Sequence, residues 1–94
     1  MVSEKIRAYI YISGRVQGVF FRENTRRLAE TLGIKGWIKN LVDGRVEAVF
    51  EGEKENVQKI IDLTKKGPDS AKVDNFEIKW ENYKGEFENF EIKF

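Results

Sequence analysis

The residues best suited to chemistry lie in the segment Gly14-Arg15-Val16-Gln17-Gly18-Val19-Phe20-Phe21-Arg22, which leads into an amphipathic stretch with helical spacing. A helix start leaves up to four backbone N–H groups without intrahelical partners. A Ser, Thr, Asp or Asn side chain ordinarily meets them. From Gly14 through Arg22 none of these residues occurs, and no carboxylate either. Two glycines allow the backbone to turn closely without side-chain obstruction. Such a loop offers free N–H donors and the positive end of a helix dipole, and an external anion would complete it.

Arg22 bears on the same question. A cation in the first helical turn opposes the dipole, at about 0.3–1 kcal/mol when exposed. Four residues on stands Arg26 and no carboxylate, whereas Glu23 can pair with Arg27 and Arg26 with Glu30. An arginine without a counter-ion, facing a ring of N–H donors, is a phosphate clamp. The alternative is that Gly14 and Gly18 shape an ordinary turn and Arg22 is solvated. Asn40 is the second candidate. Asparagine is disfavoured in strands, yet it also supports hairpin turns, so its residue type leaves both roles open.

The elements that must position these groups can be read from periodicity. Ile6, Ala8, Ile10 and Ile12 alternate with Arg7, Tyr9 and Tyr11 in a half-buried strand from Lys5 to Ser13. Phe21, Thr25, Leu28, Ala29 and Leu32 form a helical stripe, closed by Gly33. Gly36 to Val42 reads as a strand and Asp43-Gly44 as a hairpin turn, with Val46, Ala48 and Phe50 facing inward on the next strand. Val57, Ile60, Ile61 and Thr64 mark a second helix that Gly67-Pro68 ends. Phe76, Ile78 and Trp80 alternate in a fourth strand, and Phe90, Ile92 and Phe94 in a short fifth.

This order predicts an α+β, ferredoxin-like split βαβ sandwich: βαββαβ plus a short C-terminal strand, an antiparallel sheet with two helices on one face, as a single domain over 1–94. In that topology the first two strands run in the same direction. Asn40 then falls at the same sheet edge as the Gly14 loop, on the helix side with Ile38. The fold hosts enzymes, RNA-binding modules and regulatory domains alike, so function has to come from the site.

Composition removes several classes. The chain of 94 residues has no cysteine and no histidine, which excludes disulfides, thiolate nucleophiles and the commonest general base and zinc ligand. Its carboxylates are scattered without ligand spacing, and no metal or cofactor is expected. Seventeen basic and 16 acidic residues leave a net charge of +1, without the basic excess of a nucleic-acid binder. No apolar run would span a membrane and no signal peptide is evident, so the expected setting is the cytoplasm. Lys and Glu enrichment points to a thermophilic source. Ser3, Ser13 and Ser70 lack an activating base and read as ordinary polar residues.

The stretch Ile12 to Arg22 resembles the phosphate-cradle motif of acylphosphatases. Gly36-Trp37-Ile38-Lys39-Asn40, followed by Asp43-Gly44, Val46 and Gly52, resembles that family's second motif. The similarity extends over nearly the whole chain, including Gly67-Pro68 and the closing Phe-x-Ile pattern. It implies a hydrolase of acyl phosphates in which Arg22 binds the phosphoryl group beside the backbone N–H groups of Arg15, Val16, Gln17, Gly18, Val19 and Phe20, and Asn40 orients the attacking water. Ile38 departs from the smaller Val or Ala usual in the family. Tyr11 and Arg15 are expected at most to tune affinity.

Such a reaction suits a residue set without histidine. Phosphoryl transfer depends mainly on positioning and on stabilising charge on the equatorial oxygens. The leaving carboxylate, with a pKa of roughly 4, departs without a proton donor. Three other readings exist. An RNA-binding module could use Tyr9 and Tyr11, but Arg45, Glu47 and Val49 on the outer face of the third strand, Glu47 above all, disfavour it. A regulatory domain could bind a small anion without turnover. Similar domains also open a large hydrogenase-maturation protein that handles carbamoyl phosphate. The expectation is a free-standing monomer acting on a small acyl phosphate, with Trp37, Tyr9 and Tyr11 packed under a neighbouring segment.

Overall fold

Seven elements succeed one another in the computed structural model: β1 (Lys5–Arg15), α1 (Phe21–Leu32), β2 (Lys35–Asn40), β3 (Val46–Glu53), α2 (Lys54–Lys66), β4 (Lys72–Glu81) and β5 (Phe90–Lys93). The structure describes residues 4–94; Ser3 lies outside them. The strands form one sheet in the order β4-β1-β3-β2-β5. β1 is antiparallel to β3 and β4, and β2 is antiparallel to β3, giving the expected antiparallel frame. β5 adds to β2 in parallel, so the complete sheet is mixed. β2 stops at Asn40, which leaves Leu41 and Val42 in the turn.

The helical stripes behave as their spacing requires. Phe21, Thr25 and Ala29 of α1 are buried, and so are Val57, Ile60, Ile61 and Thr64 of α2. They pack on Ala8, Ile10, Ile12, Ile38, Val46, Ala48 and Phe50 of the sheet, with Leu28, Leu32, Phe76 and Ile78 partly buried at the margin. Each fully buried aliphatic side chain contributes about 1.5–3 kcal/mol. Gly33 ends α1 in the left-handed conformation, and the N–H of Ile34 behind it reaches the carbonyl of Ala29 at 2.8 Å. Gly67 ends α2 as expected. Trp80 alternates with Phe76 and Ile78 as expected, but sits opposite Ala8 on the edge strand β4, beside Lys54 and Gln58 of α2, and stays 53% exposed.

The other face of the sheet departs most from expectation. β4 and β5 occupy opposite edges, so the chain between them crosses the sheet width. Beneath that crossing lies a polar cluster. Arg7 donates to Glu51 at 3.1 Å, to Glu81 at 2.9 Å and to Glu86 at 2.7 Å, and its guanidinium stacks over Phe87. The same Glu51 carboxylate accepts the backbone N–H of Lys84 at 2.9 Å. Glu51 is only 2% exposed. Glu47, expected to face solvent, is also buried at 7%. It accepts the Tyr9 hydroxyl at 2.6 Å and pairs with Lys39 at 3.4 Å. Tyr9 in turn packs between Tyr11 and Trp37. Side-chain alternation alone gives no means of anticipating these buried carboxylates, because the covering segment comes from far along the chain.

Two outcomes are expected. Arg7→Met strands the Glu51 charge in a buried position and should cost about 3–5 kcal/mol in urea unfolding, much of it recovered when Glu51→Leu is added. Burial acts to raise the Glu47 carboxyl, but hydrogen bonds from Tyr9, Tyr11 and Lys39 outweigh it and hold the group below its ordinary range. A depressed folded value means stability that is present above the unfolded pKa of about 4.3 and is lost as pH falls through the folded value. Glu47→Gln should therefore shrink the difference between urea midpoints measured at pH 7 and pH 3.

Candidate active site

β1 leads into the loop through an irregularity. The β1–β4 register shifts between Ser13 and Gly14, leaving Asp74 as the extra residue on β4. Such a bulge bends the ladder and re-aims the residues beyond it. Gly14 sits at φ 126°, and a Cβ there would lie 2.1 Å from the Lys72 carbonyl oxygen, so only glycine lets the strands approach this closely. β1 pairing persists to Arg15, opposite Lys72. The loop proper is thus shorter than the broken alternation suggests.

Two side chains hold the loop in place. Gln17 donates from Nε2 to the carbonyls of Leu41 and Arg45, both at 2.8 Å. Those carbonyls flank the turn of the β2–β3 hairpin, which the Leu41 N–H to Arg45 carbonyl bond closes. Ser70 donates its hydroxyl to the Val19 carbonyl at 3.2 Å, so this serine supports the loop and is not merely a surface polar group. Val16 is buried.

The helix start is unusual in two respects. Phe20 occupies the N-cap position at φ 61°, ψ 23°, the one non-glycine residue with positive φ among the described residues. A bulky side chain held there costs about 1–3 kcal/mol and persists only when its surroundings impose it. Phe20 also makes no side-chain cap hydrogen bond. Among the described residues no acceptor is found for the backbone N–H groups from Val16 through Glu23. The start of α1 therefore lacks an internal hydrogen-bond acceptor, and the acidic side chain in its first turn, Glu23, is engaged by Arg26 and Arg27.

Beside that helix start opens a cavity of about 340 Å³. Arg22 and Asn40 both border it, with Val16, Gly18 and Phe20 from the loop, Phe21 and Glu23 from α1, and Ile92 and Phe94 from the end of the chain. The structure thus brings together the two side chains singled out from separate motifs. Gln17 and Val19 of the same loop, and Arg15 at the end of β1, do not border the cavity. Arg22 forms no ion pair with any described carboxylate, while Glu23 pairs with Arg26 and Arg27 and Glu30 pairs with Arg26, as the spacing predicts. Its nearest partners are the Lys93 carbonyl, 3.5 Å from Nη1, and the Phe94 ring, whose centre is 5.0 Å from the guanidinium carbon. Asn40 pairs with Val46 in the hairpin, and its Oδ1 is buried with no hydrogen-bond partner.

Three residues contribute here in ways the sequence does not signal. Gln17 is expected to act through its backbone alone, and nothing in the local pattern marks its bridge to the hairpin. Ile92 and Phe94 fit a simple core alternation, and only the parallel docking of β5 against β2 carries them to the cavity. Arg15 and Tyr11, considered as tuning residues, do not border the cavity; Tyr11 instead stacks with Arg45, whose guanidinium carbon is 4.8 Å from its ring centre. Among the described residues no group of three or more acidic side chains is placed to hold a metal. No helix is long and apolar enough to cross a membrane.

Comparison with known proteins agrees with this fold. A family model described as acylphosphatase matches residues 8–92. An acylphosphatase of Pyrobaculum islandicum is 50% identical over 90 residues, covering 95% of each chain. One from Pelotomaculum thermopropionicum is 48% identical over 90 residues, covering 96% of this chain and 98% of its own. The crystal structure of an acylphosphatase from Bacillus subtilis matches with a TM-score of 0.91 at 31% identity, over 95% of this chain and 99% of that one. Fold and cavity define a small ferredoxin-like α+β protein whose first helix starts without an internal hydrogen-bond acceptor. The chain belongs to the acylphosphatase family, and its activity is that of an enzyme of this family.

Gln17 tests whether the loop and hairpin are tied together through one side chain. Gln17→Met keeps the volume but removes two hydrogen bonds, leaving the Leu41 and Arg45 carbonyls with only their backbone partners in the turn. It should lower stability by about 1–3 kcal/mol in urea unfolding and weaken competitive inhibition by inorganic phosphate, measured on the folded variant.

Proposed function

We propose that this cavity hydrolyses acyl phosphates without a metal or cofactor, Arg22 and the loop backbone holding the phosphoryl group and Asn40 orienting the water. The observation that carries the reading is the orphaned Oδ1 of Asn40 in the cavity it shares with Arg22. A buried acceptor left unpaired costs about 1–3 kcal/mol, and a water donating to it would remove that cost. That water would keep a lone pair free for attack on phosphorus.

The remaining roles are set by charge. In this reading the substrate phosphoryl oxygens accept from the N–H groups of the loop, Arg15 through Phe20, and from the forked donors of Arg22. These donors are fixed before substrate arrives and need no reorganisation as charge develops. The water oxygen bonds to phosphorus while the bond from phosphorus to the acyl oxygen breaks. The products are a carboxylate and dihydrogen phosphate, with both water protons retained on the phosphate. Because the leaving group is a weak base, no general acid is required. An alkyl phosphate would expel a far more basic oxygen, for which the cavity offers no acid placed to donate, and should be turned over poorly. The setting that goes with this proposal is a monomer acting in the cytoplasm.

The test is phosphate release from benzoyl phosphate with EDTA present. Wild type should turn over; Arg22→Ala and Asn40→Ala should each lose about 10²–10³-fold in kcat/KM while remaining folded. Arg22→Lys should recover little, because a point charge does not reproduce the planar fork. A folded wild type that binds phosphate yet releases none from the substrate would leave an anion-binding domain as the better description. Activity abolished by EDTA would overturn the metal-free mechanism.

A further inference from the structure

The cavity is lined by two chemically distinct sets of groups. One is polar, Arg22 and Asn40 beside the loop N–H groups; the other is apolar, Phe20, Ile92 and Phe94, with Phe94 stacked against Arg22. Phe20 is the unexplained member. Its ring is 81% exposed and belongs to no core contact, so the fold gains little from it. Its backbone is left-handed at φ 61°, a conformation that glycine adopts without strain. The same loop uses glycine for that purpose two residues earlier, at Gly18, φ 72°. Backbone geometry alone therefore calls for glycine at position 20, and what phenylalanine adds is the ring at the cavity mouth. Phe94 is fully exposed as well and stands on the Arg22 guanidinium, 5.0 Å away.

We infer that Phe20 and Phe94 form a subsite for the acyl group and select acyl phosphates with a large apolar or aromatic acyl portion over small ones. The inference rests on the proposed hydrolysis of acyl phosphates in this cavity. A phosphoryl group held by Arg22 and the helix start leaves the acyl portion pointing along the mouth, where the exposed rings lie. Covering their faces removes apolar surface from water on both partners. Among the described residues Arg22 is the one cation bordering the cavity, and the phosphoryl group occupies it. An acyl group with a second negative charge finds no free cation lining the cavity, whose other charged residue is Glu23, itself paired with Arg26 and Arg27.

The experiment compares kcat/KM for benzoyl phosphate and acetyl phosphate, expressed as a ratio that cancels any change in phosphoryl handling. Phe20→Ala and Phe20→Gly should both lower the benzoyl-to-acetyl ratio about tenfold relative to wild type, a factor typical of apolar pocket contacts. The glycine variant separates the ring from backbone strain. Phe94→Ala should lower the ratio in the same direction. Val42, equally exposed but on the hairpin turn and outside the cavity, serves as control: Val42→Ala should leave the ratio unchanged. A ratio within twofold of wild type in both Phe20 variants overturns the subsite. Absence of turnover on both substrates in wild type would instead defeat the hydrolase reading itself.

Discussion

Backbone N–H groups at the start of α1 that find no acceptor within the chain are the constraint to which the surrounding structure answers. A helix start normally closes on itself through a capping side chain. Here the cap position holds a phenylalanine in a left-handed conformation, and the preceding loop contains no Ser, Thr, Asp or Asn to cap the helix. The chain keeps that arrangement by bracing it from outside: the β1–β4 irregularity at Gly14, the Gln17 bridge to the hairpin and the Ser70 bond to Val19. Each brace binds a carbonyl or a side chain and leaves the N–H groups untouched. Local stability is given up at the loop, and more rigid elements hold it in place.

The opposite face of the sheet solves a different problem. Two edge strands lie far apart, and the chain joining them must cross a face that carries charged side chains among its aromatics. Arg7 and Glu51 anchor that crossing through Glu86, Phe87 and the Lys84 N–H. A buried ion pair is weak as a source of net stability, since desolvation offsets most of the attraction. Its value here is positional, because the path of the crossing decides where β5 pairs with β2. That pairing in turn sets Ile92 and Phe94 beside Arg22.

Most of the frame is legible in the sequence because it depends on short-range periodicity. Phe21, Thr25 and Ala29 repeat at helical spacing, Ile10 and Ile12 alternate, and Gly33 and Gly67 stop their helices for reasons intrinsic to glycine. The pairing of Arg22 with Asn40 is legible from topology, since strands running in the same direction bring their ends to one edge. The parts that are not legible all depend on contacts between segments far apart in the chain. Glu47 and Glu51 look like outward charges by alternation and become buried only because a later segment and neighbouring aromatics cover them. Trp80 differs in the opposite direction: its alternation is correct, but at the sheet edge only the polar Lys54 and Gln58 of α2 lie beside it and it stays half exposed. The direction of β5 is likewise set by the crossing and by no local signal.

The strand order has a kinetic meaning. In β4-β1-β3-β2-β5 only β2 and β3 are neighbours both in sequence and in space. Every other ladder joins segments separated by a helix or by the width of the sheet, and ladders of that kind must meet their loop-closure entropy before any contact rewards it. Arg22 and Asn40 come from opposite ends of the α1–β2 unit, and their cavity is finished by residues from the end of the chain. The cavity is therefore complete only when the non-local β2–β5 ladder has closed. A partly folded chain with native helices and the β2–β3 hairpin would have both motifs and no cavity, so catalytic competence here coincides with completion of the fold.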